Sequence, residues 1–278
     1  MAEISEERVS IAGIETFLRR IEGQGTPTLF LHGNPTASWD WLPFMRALGA
    51  FGAPAVALDL PNFGRSQRLP TECFDASMHA YSEFITAAVE QLGLRRLNLV
   101  VHDWGAIALH AARRWPQRLE RLVLINAVPL LAGYRWHWVA RIWRRRWAGE
   151  LFNAISSKRT MAFALRQARP GFAALPPEFV DAVWEGWDRG TAAAVLALYR
   201  SADPGALEAA GSHLDSLDCP ALVLWGSRDP YLGPEVGRRY AARLPDAELL
   251  AIADAGHWPW LDRPELVERV ATYLNAGR

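Results

Sequence analysis

The sequence predicts an α/β fold: a mostly parallel central sheet, helices on both faces, and a helical segment inserted between two strands. Three observations predict it. Short apolar runs alternate with helix-like segments through the first 129 residues and again from 213 onward. The runs are apolar nearly throughout, as strands covered on both faces require. Between the two halves, residues 130–212 read as helix, rich in Trp and Arg, with no convincing strand. The expected organisation is a main domain in two parts, 1–129 and 213–278, with a helical cap at 130–212.

Val9 to Ile11 and Ile14 to Ile21 flank Ala12-Gly13, an opening hairpin turned at the glycine. Thr28 to Leu31 is a short buried strand ending at His32-Gly33-Asn34-Pro35. Ser38 is placed to cap a helix reaching about Leu48. Ala55 to Leu58 is the next strand and ends at Asp59-Leu60-Pro61-Asn62-Phe63-Gly64-Arg65-Ser66. Ser77 to Leu92 reads as a long helix stopped by Gly93. Leu97 to Val101 is a strand that breaks off at His102-Asp103-Trp104-Gly105, followed by a helical pattern from Ala106 to Trp115. Leu122 to Ile125 comes next. After the insertion, strands Ala221 to Gly226 and Glu248 to Ile252 alternate with helices near Pro234 to Leu244 and from Pro264.

The chain has 278 residues, 50% hydrophobic and 22% charged, enough for one large domain with an insertion. Its formal net charge is zero, which gives no pull toward nucleic acid or an anionic membrane. Cys73 and Cys219 are far apart and are expected as two unpaired buried thiols. No His/Cys spacing fits zinc, and no metal or organic cofactor is expected. Met1 to Arg8 lacks a basic-then-apolar leader pattern, and no run of 18 apolar residues occurs. A soluble cytoplasmic protein is the expectation. Of the thirteen Trp, Trp136, Trp143 and Trp147 fall with Ala140 at helical spacing. They predict a helix face packed on the main domain, with Arg144, Arg145 and Arg146 largely on the solvated side.

Three polar residues stand just past strand ends. Asp103 follows the strand from Leu97, Asp229 follows Ala221 to Gly226, and His257 follows Glu248 to Ile252. In open parallel sheets, sites lie at the carboxyl ends of strands. The strand–turn–helix at Asp103 is the sharp turn that presents a nucleophile, and the order is nucleophile, acid, base. A carboxylate nucleophile displaces a leaving group from saturated carbon and forms an ester.

The motifs His32-Gly33-Asn34-Pro35-Thr36, His102-Asp103-Trp104-Gly105, Gly226-Ser227-Arg228-Asp229 and Gly256-His257-Trp258 together resemble the haloalkane dehalogenase and epoxide hydrolase branch of the α/β-hydrolase superfamily. The resemblance covers the main domain and leaves the cap poorly matched. It implies that Asp103 attacks carbon, that His257, oriented by Asp229, activates water against the ester, and that the backbone N–H groups of Trp104 and Asn34 hold the oxyanion. The side chains of Trp104 and Asn34 would bind a departing halide. Epoxide hydrolases instead use two cap tyrosines. Leu198-Tyr199-Arg200 resembles one such segment, Tyr134 lies very early in the cap, and Trp143 and His137 stand nearest to where a partner belongs. Some dehalogenases carry their acid at the position of Asn126, which cannot ionise here, so the acid is assigned to Asp229. The leading expectation is a haloalkane dehalogenase acting on a small apolar substrate. An epoxide hydrolase is the alternative, and a non-catalytic binding protein stands as a reading from another class. An esterase is disfavoured because no Gly-x-Ser-x-Gly occupies the turn. Oligomeric state is left open.

Overall fold

The computed structural model describes residues 3–276; Met1 and Ala2 of the N-terminal stretch, with Gly277 and Arg278, lie outside the described residues. Strands β1 (Ser5–Ile11) and β2 (Ile14–Ile21) form the opening hairpin. Its two-residue turn has Ala12 and Gly13 both at positive φ, the geometry that matches strand twist. Then come β3 (Thr28–Leu31), α1 (Leu42–Ala50), β4 (Ala55–Leu58), α2 (Met78–Gln91), β5 (Leu97–Asp103), α3 (Ile107–Ala112) and β6 (Leu119–Ala127). The sheet order is β1-β2-β4-β3-β5-β6, continued by β7 (Ala221–Gly226) and β8 (Ala247–Ile252). From β4 to β8 every neighbouring pair is parallel; β2 alone runs against the others, antiparallel to both β1 and β4. The expected mostly parallel sheet is thus the one found.

Period-two alternation divides each strand between two cores. Leu29, Leu31, Leu99 and Val101 face one side, with α2, α3 and α10 (Pro234–Arg243). Phe30, Val100, Val123 and Leu222 face the other, with α1 and the C-terminal α12 (Glu265–Asn275). A short α11 (Pro259–Asp262) precedes α12. Between β6 and β7 lie α4 (Trp138–Trp143), α5 (Ala148–Ala154), α6 (Lys158–Leu165), α7 (Pro177–Glu185), α8 (Arg189–Ser201) and α9 (Pro204–Ala210). No helix of the described residues is long and apolar enough to cross a membrane.

Several local expectations are corrected. Ser38 caps nothing: its N–H donates to Asp59 Oδ1 at 2.7 Å and its Oγ accepts from Arg19 at 2.5 Å, so a 3₁₀ turn precedes α1. Ser77 does cap α2, accepting from the Ala80 N–H. Cys73 is exposed while Cys219 is buried; both are free thiols. The Trp stripe is not one helix face. Trp136 precedes α4, and the chain turns after Trp143, leaving Trp147 at φ +69° and 80% exposed. Arg144 is not on a solvated face either. Its guanidinium donates to the carbonyls of Tyr199 and Ala202 and lies over the Trp136 ring. Carbonyls at the end of a helix lack partners within it, and a cation is well placed there.

Candidate active site

Asp103 ends β5 at φ 48° and ψ −120°, outside the regions open to most L-residues. The bend is held by close packing against the glycines around it. A Cβ on Gly33 would overlap the Asp103 side chain, and one on Gly105 would overlap the Leu31 carbonyl. The first loop can therefore approach closely enough for the Asn34 N–H to donate to Asp103 Oδ2 at 2.8 Å. The Trp104 backbone N–H lies against the same carboxylate. Burial pushes the Asp103 carboxyl up to about 6; the charge of His257 and these two N–H groups oppose the rise.

β7 and β8 bring the other two residues in. His257 Nδ1 donates to Asp229 Oδ2 at 2.7 Å. That bond fixes the tautomer, leaving Nε2 as the bare acceptor when the ring is neutral. Nε2 stands 3.9 Å from Asp103 Oδ1, too far for a hydrogen bond and close enough to share a small molecule between them. Burial lowers the His257 pKa, but the charge and hydrogen bond of Asp229, with Asp103 and Asp40 nearby, outweigh it and leave the pKa raised. Asp229 is fully enclosed and accepts from four donors: the N–H groups of Tyr231 and Leu232, His257 Nδ1 and Asn126 Nδ2.

The polar side chains behind this trio are largely paired, His102 Nδ1 being the exception. Asn126, at φ 36°, ends β6 beside β7; its Oδ1 accepts from the Gly226 N–H at 2.8 Å and its Nδ2 donates to Asp229 at 2.7 Å. His32 accepts the Leu60 N–H on Nε2 and donates from Nδ1 to the Gly33 carbonyl, so it braces the first loop. His102 donates from Nε2 to the His257 carbonyl at 2.9 Å, and burial holds its pKa well below the ordinary value. The His257 N–H donates to the Ala168 carbonyl, which ties this loop to the insertion.

The chain belongs to the α/β-hydrolase fold family. The family model for that fold matches residues 26–264. A haloalkane dehalogenase of Mycolicibacterium paratuberculosis is 31% identical over 265 residues, spanning 91% of this chain and 84% of the relative. The crystal structure of haloalkane dehalogenase DbeA from Bradyrhizobium elkani USDA94 superposes with a TM-score of 0.84 at 24% identity, covering 98% of both chains. The epoxide hydrolase CorEH superposes with a TM-score of 0.82 at 21% identity, covering 99% of both. The curated relative places this α/β-hydrolase on the branch that the four motifs resemble.

A cavity of about 260 Å³ lies between the strand ends and the insertion. Asp103 and His257 open into it, and so do Asn34, Tyr134, Trp136 and Tyr199. Trp104 is 1% exposed, stacked on Trp136 at 5.7 Å and edge-on to Tyr199 at 4.9 Å. The indole N–H groups of Trp104 and Trp136 are both buried, and that of Trp136 meets no acceptor among the described residues. The Asn34 amide and the Trp104 indole both lie toward the Tyr199 hydroxyl, whose pKa burial raises well above the ordinary value. Trp143 lines the cavity too, but its N–H donates to Asn153 Oδ1 at 2.9 Å and is not free for a ligand. Tyr134, read as very early in the cap, is in the same cavity; its hydroxyl donates to the Tyr231 carbonyl at 3.3 Å. Trp136 and His137 enter the site without a motif to announce them. No group of three His, Cys, Asp or Glu among the described residues is placed to hold a metal.

Proposed function

We propose that this α/β-hydrolase is a haloalkane dehalogenase working through an aspartyl ester, with residues 130–212 as the cap over its cavity. The observation that carries the choice is the Trp136 indole N–H, which opens into the cavity of Asp103 without an acceptor, with the Trp104 indole stacked on it and turned toward the Tyr199 hydroxyl. Buried donors are almost always satisfied, so an orphan donor facing a cavity calls for an anionic or weakly accepting ligand. A halide fits: it needs donors and no proton. Trp41 and Trp115 also lack partners but do not line the cavity of Asp103, and the Trp258 indole lies toward Asp40.

The reaction follows from the two carboxylate oxygens. Oδ2 is held by the Asn34 N–H, so Oδ1 attacks the carbon. The carbon–halogen bond breaks with its electron pair leaving on the halide, between the two indoles and the Asn34 amide. His257 Nε2 then takes a proton from water while the water oxygen adds to the ester carbonyl carbon. The oxyanion forms at Oδ2, already in the hole lined by the N–H groups of Asn34 and Trp104. Collapse expels the alkoxide, which takes the proton back from the imidazolium, and the regenerated Asp103 carboxyl releases a proton to solvent. The sum is haloalkane plus water to alcohol, halide and a proton. We assign the cytoplasm as its compartment on the same reading.

Epoxide hydrolysis is the second reading, favoured by one observation: Tyr134 and Tyr199 both line the cavity that holds Asp103. A phenol donating to the ring oxygen replaces the halide site. A panel of bromoalkanes and styrene-type epoxides separates the two. Bromide release supports the proposal; diol without bromide reverses it.

A further inference from the structure

The net charge of zero conceals a segregation. Residues 135–172 carry nine basic side chains and one acidic, Glu150, which is taken up by Arg200. Arg141, Arg145, Arg146 and Arg159 are exposed and meet no carboxylate among the described residues. The same segment holds the exposed large apolar side chains Trp138, Trp147, Leu151, Ile155, Phe163 and Phe172; elsewhere among the described residues Phe51 alone joins them. Single exposed apolar residues are ordinary, but a cluster of this kind marks a contact surface. Trp147, Leu151 and Ile155 are four residues apart along α5 and its end, so they share one face, at 80%, 63% and 68% exposure. That stripe runs to the cavity: Ile155 and Trp138 are exposed and also line it, which puts its mouth there.

We infer that this face of the insertion docks on an anionic lipid bilayer. Trp147 and Leu151 enter the boundary between headgroups and acyl chains, and Arg145 and Arg146, next to Trp147 in the chain, lie on headgroup phosphates. Charge decides the occupant. A second copy of the chain would bring the unpaired arginines of this segment against their own kind, a like-charge contact that opposes association. An apolar stripe with a prominent Trp, flanked by arginines, matches an anionic interface. The cavity mouth then opens at the bilayer surface, where small apolar molecules concentrate. The docking does not depend on the dehalogenase reading; it needs only the surface itself.

The test is flotation of the full chain with vesicles of phosphatidylglycerol and phosphatidylcholine, against vesicles of phosphatidylcholine alone. Binding is expected to the mixed vesicles, weakening as salt rises. Arg145→Ala with Arg146→Ala should weaken it about 30-fold, equivalent to about 2 kcal/mol at about 1 kcal/mol per basic residue. Trp147→Ala with Leu151→Ala should weaken it as well. Both pairs lie outside the cavity lining and should melt at the parent's temperature. Three results overturn the inference: no flotation with mixed vesicles, binding that neither pair of substitutions weakens, or a dimer in sedimentation that Trp147→Ala with Leu151→Ala dissolves.

Discussion

Replacing His257 by Gln tests the covalent reaction directly. The 3.9 Å separation of Nε2 from Asp103 Oδ1 means that the imidazole makes no bond the carboxylate needs in order to attack. Attack on carbon should survive. Hydrolysis of the ester should not, because neutral water is a poor nucleophile and a glutamine amide accepts no proton. General-base catalysis is worth about 10²- to 10⁴-fold, or about 3–5 kcal/mol of barrier. One complication has a definite sign. The His257 charge opposes the rise of the Asp103 pKa, so its removal moves that carboxyl above its present value of about 6. The first step of the His257→Gln variant would then slow below neutrality, and the assay belongs at about pH 8 or above. Under single-turnover conditions with a bromoalkane, one equivalent of bromide should appear, and the peptide containing Asp103 should gain one alkyl group by mass spectrometry. Continued turnover without an adduct, or an adduct on another residue, would refute the aspartyl-ester reaction.

Other outcomes follow from the same geometry. Asp103→Asn should stabilise the protein at neutral pH: a carboxyl raised from 3.8 to about 6 carries an ionisation cost in the folded state. That cost is absent below about pH 4 and complete above about pH 6, at most about 3 kcal/mol, so melting curves of variant and parent should converge in acid. Asn126→Ala strands the Gly226 N–H and removes a donor from Asp229; chemical denaturation should show a loss of about 1–3 kcal/mol, with turnover lowered as well. Tyr199→Phe should leave bromide release nearly intact, because a halide departs unprotonated, whereas diol formation by an epoxide hydrolase would fall steeply. Single turnover in ¹⁸O-water should give unlabelled alcohol and leave the label in Asp103, since the alcohol oxygen is Oδ1; labelled alcohol in the first turnover would point to direct attack by water.

Much of the site was legible because parallel strands end on one edge. Once β5, β7 and β8 are recognised as strands of such a sheet, Asp103, Asp229 and His257 must fall at the same end, whatever their separation in sequence. What stayed hidden depended on strand neighbours or on tertiary turns. Asn126 was read as a position unable to ionise. Its work as donor to Asp229 and acceptor for Gly226 exists because β6 and β7 are adjacent, and strand order is not written in any single stretch. The Trp stripe failed for another reason. Helical spacing holds only while the helix continues, and the chain breaks at Trp147 with positive φ. Arg144 left its expected face because carbonyls at the end of α8, a distant segment, supply better partners than water.

Net charge misleads in the same way. A sum over 278 residues is blind to position, yet a surface responds to charge within about a Debye length, roughly 10 Å. The basic excess of residues 135–172 is cancelled in the sum by carboxylates elsewhere in the chain, and those beyond that length do not screen it. The buried groups of the site obey the opposite rule. Asp103 sits in low dielectric, where His257, two N–H groups and the Asp229 carboxylate act on it at short range. One oxygen of Asp103 is therefore fixed before substrate arrives, and the proposed reaction uses the other. In the proposed reaction the atom on which the oxyanion would form is already paired in the resting carboxylate, so its donors need not reorganise during the second step.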